Sequence, residues 1–303
     1  MKYLFFALLC LAYFSDCAAG SNSATREIGV MSFNIRAGGG KSVPATAQVM
    51  KESGADIIGV QESSSRKGVN NAVYIADSLG WYSYARDAGR TVISKHAIVD
   101  TSANGKGVKI KIGEKQFVWM FNIHLIYCPY EPYQLNGIEY CSAPLLQTAE
   151  EAVASAWKSR GEEVEAVIAD INDVKKEGYP IFLTGDFNEP SYLDWTSRAA
   201  QAGLCKMAVE WPATKTFQTQ AGMTDSYRAL YPDEVKNPGH TWTSYTPKEG
   251  VAELMDRIDF VLFRGKVKVK SSTIIGENSS CSDIGFENYP SDHRAVLSTF
   301  RLK

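Results

Sequence analysis

The 303-residue chain lacks a basic excess: 32 Lys and Arg stand against 34 Asp and Glu, a formal net charge of −2. Proteins held to nucleic acid or anionic lipid by bulk electrostatics carry a clear positive surplus, so that class is disfavoured, although scattered cations can still gather in a cleft. Low complexity is also absent. With 45% hydrophobic and 22% charged residues, and only 11 Pro and 24 Gly, the chain has enough apolar material to offset its ordering entropy. That excludes a collagenous or largely disordered protein. No apolar run is long enough for a spanning helix, which needs about 20 residues. The longest is the uncharged stretch Tyr3 to Phe14, and no stable membrane anchor is expected.

That short run has a different use. Lys2 precedes it and Cys17-Ala18-Ala19 follows it with small residues, the pattern of a cleaved secretory signal over residues 1–19. The mature protein is expected outside the cytoplasm, secreted or periplasmic. Ser15-Asp16 ahead of Cys17 argues against lipid attachment there. Cleavage leaves four cysteines, Cys128, Cys141, Cys205 and Cys281, which allow three pairings. Cys128 with Cys141 closes a short loop and is favoured, with Cys205 and Cys281 as the remainder. No Cys-x-x-Cys spacing suggests zinc. Asn278-Ser279-Ser280 matches a glycosylation acceptor.

No repeat, charge block or linker divides the rest, so one domain is expected over residues 26–303. Alternating or buried apolar patterns predict strands over 27–35, 55–61, 91–94, 108–112, 117–125, 180–185, 258–263, 266–274 and 295–302. Helical spacing marks 43–53 and 145–176, the second with a break expected near Gly161. Asn104-Gly105 and Arg264-Gly265 read as hairpin turns. Strands joined partly by helices and partly by hairpins predict an α/β fold, two mixed sheets flanked by helices.

Several strands end in the same kinds of polar residue: Asn34, Glu62, Asn122 with His124, Asp186 with Asn188, Asp259, and Asp292 with His293. One such residue is ordinary at a strand end. Six ends of this kind bring a cleft into view. Residues two apart share a strand face, so Asp186 and Asn188 can point into it together while Phe187 packs in the core. Oxygen donors suit a hard cation, magnesium or else manganese or calcium. Histidines suit proton transfer near neutral pH.

Taken together, Ser32-Phe33-Asn34, Val60-Gln61-Glu62, Asn122-Ile123-His124-Leu125, Gly185-Asp186-Phe187-Asn188, Arg257-Ile258-Asp259-Phe260 and Ser291-Asp292-His293 resemble the endonuclease/exonuclease/phosphatase superfamily. The order matches and spans nearly the whole mature chain. The resemblance implies a four-layer, deoxyribonuclease-like sandwich, a divalent metal, and hydrolysis of phosphate esters. It implies Glu62 as the main metal ligand, with Asn34 and Asp292 near the same ion. By the same resemblance Asp186 and Asn188 orient the attacking water and contact the phosphate, His293 held by Asp259 is the general base, and His124 serves the leaving side. Asp256 competes with Asp259, because both neighbour an Arg-Ile pair. Arg-Ile-Asp-Phe matches the larger part of the family, which favours Asp259. No catalytic part is assigned to His240.

Substrate class is not set by these residues, since nucleases, lipid phosphodiesterases and phosphomonoesterases share them. After His124 the chain departs from commoner members with a Tyr- and Pro-rich insertion, residues 126–144, which reads either as a recognition wall or as a surface flap. A second aromatic group, Trp195, Trp211, Trp242 and Tyr245, falls on segments expected to border the cleft. Arg66, Lys67, Arg86 and Arg90 form no stripe, which disfavours duplex DNA without removing it. A phosphodiesterase of a small-molecule, lipid-headgroup or sugar-linked substrate is the leading expectation, as a monomer. The alternatives are a secreted DNA or RNA endonuclease, and a non-catalytic binding module on the same fold.

Overall fold

The chain is described here from a computed structural model, covering residues 26–242, 253–278, 280 and 282–302. The expected signal segment, Tyr245, and Cys281 lie outside those residues. In chain order, β1 (Glu27–Asn34), β2 (Ile57–Gln61), β3 (Tyr82–Ala85) and β4 (Arg90–Ser94) enter one sheet. β5 (Ile98–Thr101), β6 (Gly107–Lys111), β7 (Phe117–His124), β8 (Ile181–Asp186), β9 (Thr224–Asp225) and β10 (Asp259–Arg264) build the other. β11 (Val267–Gly276), β12 (Ile284–Gly285) and β13 (Ala295–Leu302) return to the first. The strand orders are β12-β11-β13-β1-β2-β4-β3 and β5-β6-β7-β8-β10-β9.

The two-residue period of β1 assigns each face its neighbours. Ile28 and Val30 join Ile57, Met120, Phe182 and Phe300 between the sheets, while Met31 and Phe33 pack outward on Val49, Met50 and Ile75. β8 does the same, with Phe182 between the sheets and Leu183, followed by Phe187, against Val164, Val167 and Ile171 of the long helix. Full burial of such a side chain stabilises by roughly 1.5–3 kcal/mol. These apolar faces hold the layers.

Local chemistry starts the helices where the pattern begins. Ser42 caps Val43–Glu52, its hydroxyl accepting from Ala45 N at 3.2 Å. Thr148 and Glu151 form a capping box at the head of Ala149–Val174. That helix runs unbroken through Gly161, contrary to the expected break, because the glycine is the spot where the Trp157 ring lies against the helix and leaves no space for a Cβ. Asn104-Gly105 does turn β5 into antiparallel β6. Arg264-Gly265 does not make a hairpin. It carries the chain from β10 in one sheet to β11 in the other, with Gly265 at φ 105° against the Pro180 backbone.

A polar seam crosses the sandwich just beneath the site. Gln61 Nε2 donates to Asn122 Oδ1 at 2.6 Å, Thr184 Oγ1 donates to the same oxygen at 3.2 Å, and Asn122 Nδ2 reaches Val60 O at 2.9 Å and Thr91 O at 3.2 Å. The sheets approach so closely there that a Cβ on Gly59 would run into Thr184 Oγ1 and Asn122. The Asn of the Asn-Ile-His segment thus ties the two sheets together, and His124 stands two residues further on the same face.

Candidate active site

The registers place the polar strand ends together. Asn34 on β1 pairs with Gln61 on β2, His124 on β7 with Asp186 on β8, and Asp259 on β10 with Asp186. All belong to the central strands of their sheets and open on one edge of the sandwich.

Between β1 and β2 the backbone is bent to serve two side chains. Arg36, Ala37 and Glu62 adopt φ values of 52°, 47° and 52°, a left-handed region that costs a non-glycine residue on the order of 1 kcal/mol or more. The bend aims three successive N–H groups: Arg36 N donates to Asn34 Oδ1 at 2.9 Å, Ala37 N to Glu62 Oε2 at 2.7 Å, and Gly38 N to Glu62 O at 2.7 Å. Asn34 Nδ2 then donates to Glu62 Oε1 at 3.2 Å and Asp186 Oδ2 at 2.9 Å. Asn34, expected near the ion, here makes its contacts to protein groups. Its oxygen accepts from the Arg36 N–H, and turning the amide over would set two donors face to face, so the amide N–H groups orient the carboxylates of Glu62 and Asp186.

Asp186 is the centre of the cluster. Its Oδ1 accepts from Asn188 N at 2.9 Å, and its Oδ2 lies 3.5 Å from His124 Nε2 and 3.7 Å from His293 Nε2. Burial alone would raise its pKa, but His293 and His124 outweigh burial and hold it at about 2. Asn188 sits at φ 47°, which asparagine tolerates, and donates to Leu125 O at 3.0 Å.

His293 Nδ1 lies 3.0 Å from Asp259 Oδ2. Burial opposes the imidazolium, but Asp259 and Asp186 overcome it and push His293 up to about 10. Asp259 itself is raised by burial, with His293 opposing. Ser291 fixes the approach, donating to Asn34 O at 2.6 Å and accepting from His293 N at 3.2 Å. His124 is also raised: desolvation opposes its charge, but the hydrogen bond to Asp186 and the charges of Asp186 and Glu62 together outweigh it. Asp256 is elsewhere: its carboxylate accepts from Tyr130 OH at 2.7 Å and Trp195 Nε1 at 2.9 Å. The geometry therefore pairs His293 with Asp259.

Glu62, Asp186, Asn188, His124, Asp292 and His293 all line one cavity of about 270 Å³. Sequence reasoning missed Arg36, whose Nε lies 3.3 Å from Asp292 Oδ2; an isolated arginine carried no signal. The insertion forms one side of the cavity through Tyr127, Tyr130, Tyr133 and Tyr140, and it contains a short helix, Glu131–Leu135, that its Pro content concealed. The Cys128–Cys141 disulfide closes it. Of the described members of the second aromatic group, Trp195, Trp211 and Trp242, only Trp242 reaches the cavity. Trp195 and Trp211 pack on each other in a separate core, ring centroids 5.2 Å apart, because their segments turn away from the cleft. Cys205 carries a free thiol whose Sγ donates to Met207 O at 3.4 Å and which burial pushes up to about 12; its expected partner, Cys281, lies outside the described residues.

The oxygen donors fit a hard divalent cation. Glu62 and Asp292 present carboxylates to the cavity. Asp186, Asp259 and His293 form a tighter group, with candidate ligand atoms within 4.8 Å of one another, but an ion there would compete with the His293–Asp259 hydrogen bond.

The model of the Endonuclease/Exonuclease/phosphatase family matches residues 31–293. The chain belongs to that family. It is accordingly a metal-dependent hydrolase of phosphate esters. An uncharacterised protein of Caenorhabditis elegans is 26% identical over 99% of this chain and 98% of its own length. Among solved structures, truncated TDP2 of C. elegans is similar at TM-score 0.53 and 20% identity, covering 91% of this chain and 98% of that one. The human Nocturnin catalytic domain with bound sulfate is similar at TM-score 0.56 and 14% identity, covering 91% and 95%. The 3′ phosphatase NExo from Neisseria, bound to a product DNA hairpin, is similar at 0.57 and 16%, covering 89% and 98%. At these identities the structural likeness speaks for the four-layer fold.

Proposed function

We propose that this chain is a secreted phosphodiesterase that hydrolyses a small-molecule, lipid-headgroup or sugar-linked phosphodiester. The carrying observation is the His293–Asp259 pair, at 3.0 Å, set beside Asp186 in the cavity that Glu62 and Asp292 line.

Glu62 and Asp292 would hold the cation, magnesium or else manganese or calcium, with Asn34 and the Ala37 N–H fixing the orientation of Glu62. Such a cation supplies charge neutralisation at the phosphate oxygens. His293 takes the proton of the attacking water at Nε2, since Nδ1 is committed to Asp259. Asp186 stabilises the resulting imidazolium and, with Asn188, orients the water. His124, as the second cation beside Asp186, offers its proton to the departing oxygen. Water attacks phosphorus, the ester P–O bond breaks, and the leaving alcohol carries that proton away.

A small substrate is favoured over duplex nucleic acid by charge. Arg86 and Arg90 are occupied by Asp87 and Glu163, and none of the described residues lining the cavity is Lys or Arg. The Cys128–Cys141 disulfide supports an oxidising compartment. Among the described residues no helix is long and apolar enough to cross a membrane.

The test is a hydrolysis panel with and without chelator: duplex DNA, RNA, glycerophosphodiesters, choline phosphodiesters and simple phosphomonoesters. The reading expects chelator-sensitive release from the small diesters. Faster cleavage of DNA or RNA would replace it with the nuclease alternative.

A further inference from the structure

The insertion does more than border the cavity. Its tyrosines meet edge to face, two pairs of them nearly perpendicular: Tyr130 and Tyr133 at 85° with centroids 4.9 Å apart, Tyr133 and Tyr140 at 89° and 5.4 Å, while Tyr127 and Tyr140 stand at 63° and 6.4 Å. Two parallel faces would sandwich a flat base or sugar. Rings at right angles instead make the corner of a box, which suits a compact, convex group.

Two carboxylates, Asp256 and Glu253, stand behind the box. The Tyr130 hydroxyl donates a hydrogen bond to Asp256 at 2.7 Å and the Tyr133 hydroxyl donates one to Glu253 at 2.5 Å. A phenol that donates to a carboxylate keeps a more electron-rich ring, and such rings attract cations. Among the described residues lining the cavity there is no Lys or Arg to cover those faces. The box also touches the reacting centre: Trp242 lines the same cavity and packs on His293, ring centroids 4.8 Å apart.

The placement is built, not incidental. Arg160, buried on the long helix, donates to Ile126 O at 3.1 Å, Pro129 O at 2.6 Å and Glu131 Oε2 at 2.8 Å. The disulfide Cys128–Cys141 ties the two ends of the insertion. Tyr127 and Tyr140 remain exposed at the rim, while Tyr130 is buried at the base, so a head group can enter from solvent.

We propose that this box is a binding site for a quaternary ammonium head group, and that the substrate is a choline-type phosphodiester whose trimethylammonium seats among the tyrosines while its phosphate faces His293. The substrate assignment rests on the phosphodiesterase reading above; the cation site does not.

The experiment compares choline with 3,3-dimethyl-1-butanol, which has the same shape without the charge. Calorimetric titration of the magnesium-loaded, non-reduced protein should show choline binding about ten-fold more tightly. Tyr140→Leu, at an exposed position, should bring the two affinities together, and Tyr140→Phe should preserve the difference. Equal affinities in the wild-type protein, or a difference untouched by Tyr140→Leu, overturn the site. A kinetic arm compares p-nitrophenylphosphorylcholine, its 3,3-dimethylbutyl counterpart, and thymidine 5′-monophosphate p-nitrophenyl ester. A higher kcat/KM for the choline ester supports the assignment, and preference for the thymidine ester overturns it. Selective choline binding with no hydrolysis of any ester would sink the phosphodiesterase reading while leaving the cation site standing. Hydrolysis without charge preference would do the reverse.

Discussion

The Tyr130 hydroxyl donates to Asp256 at 2.7 Å, and Trp195 Nε1 donates to the other oxygen of the same carboxylate at 2.9 Å. Asp256 is thereby a buried junction between the insertion and the segment entering β10, while Asp259, three residues later, faces His293.

That division gives the two aspartates separate signatures. A general base works only when deprotonated, so a His293 raised to about 10 moves the acidic limb of the rate profile well above the ordinary histidine value of about 6.5. A bound divalent cation draws the limb back down. Asp259→Asn removes the counter-charge, so the limb should move to lower pH, with turnover reduced at least ten-fold. Asp256→Asn should leave the limb in place and instead raise KM and lower the melting temperature, because an amide cannot accept from both Tyr130 and Trp195. The buried mismatch costs about 1–3 kcal/mol. Exchange of these behaviours would undo the pairing.

The metal site is tested by linkage. Magnesium bound to the folded state raises its stability by RT ln(1 + [L]/Kd). Glu62→Gln should lose that rise and most activity, yet melt close to wild type in chelator. Asp259→Asn should keep the magnesium-dependent rise. A rise lost in Asp259→Asn and kept in Glu62→Gln would place the ion at the Asp186, Asp259, His293 group instead.

Much of this site is visible in the sequence, because short strands that end in Asn34, Glu62, His124, Asp186 and Asp259 must converge once they pair. The period of two also separates Asp186 from Phe187. What the sequence concealed is non-local. The amide direction of Asn34 depends on the Arg36 N–H in a left-handed bend, the sheet switch at Gly265 depends on which sheet has room for β11, and Trp195 follows Asp256 into the core rather than the cleft.

The thiols should divide in peptide mapping of the non-reduced protein: Cys128 linked to Cys141, and Cys205 unlinked. With its thiol pushed up to about 12, Cys205 should alkylate slowly in the native protein and readily in denaturant. Replacing Cys128 and Cys141 together by Ser should cost on the order of 3 kcal/mol at most, as a loop of this size allows. KM should rise more than kcat falls, since Arg160 still holds Ile126 O and Pro129 O while the Tyr140 end is released. A Cys128–Cys205 link would contradict the architecture of the insertion.

Glu189 tests the interior beside the site. Its Oε1 accepts from Ala213 N at 2.7 Å, while Oε2 is buried without a hydrogen-bond partner. Burial pushes the carboxyl up to about 8, with Arg160 opposing. A folded pKa above the unfolded value of about 4.3 means that the folded protein binds this proton more tightly. The resulting stabilisation is complete below pH about 4, declines as pH rises, and is lost once pH passes about 8. Its full span is on the order of 5 kcal/mol by the usual 1.36 kcal/mol per pKa unit. Glu189→Gln cannot ionise, so its melting temperature should fall less than that of wild type between pH 5 and pH 9, and the two curves should diverge most at the alkaline end. Other titrating groups, His293 among them, act in both proteins and cancel in the comparison. Parallel curves across that range would mean that Glu189 is ionised in the folded protein and has found a partner.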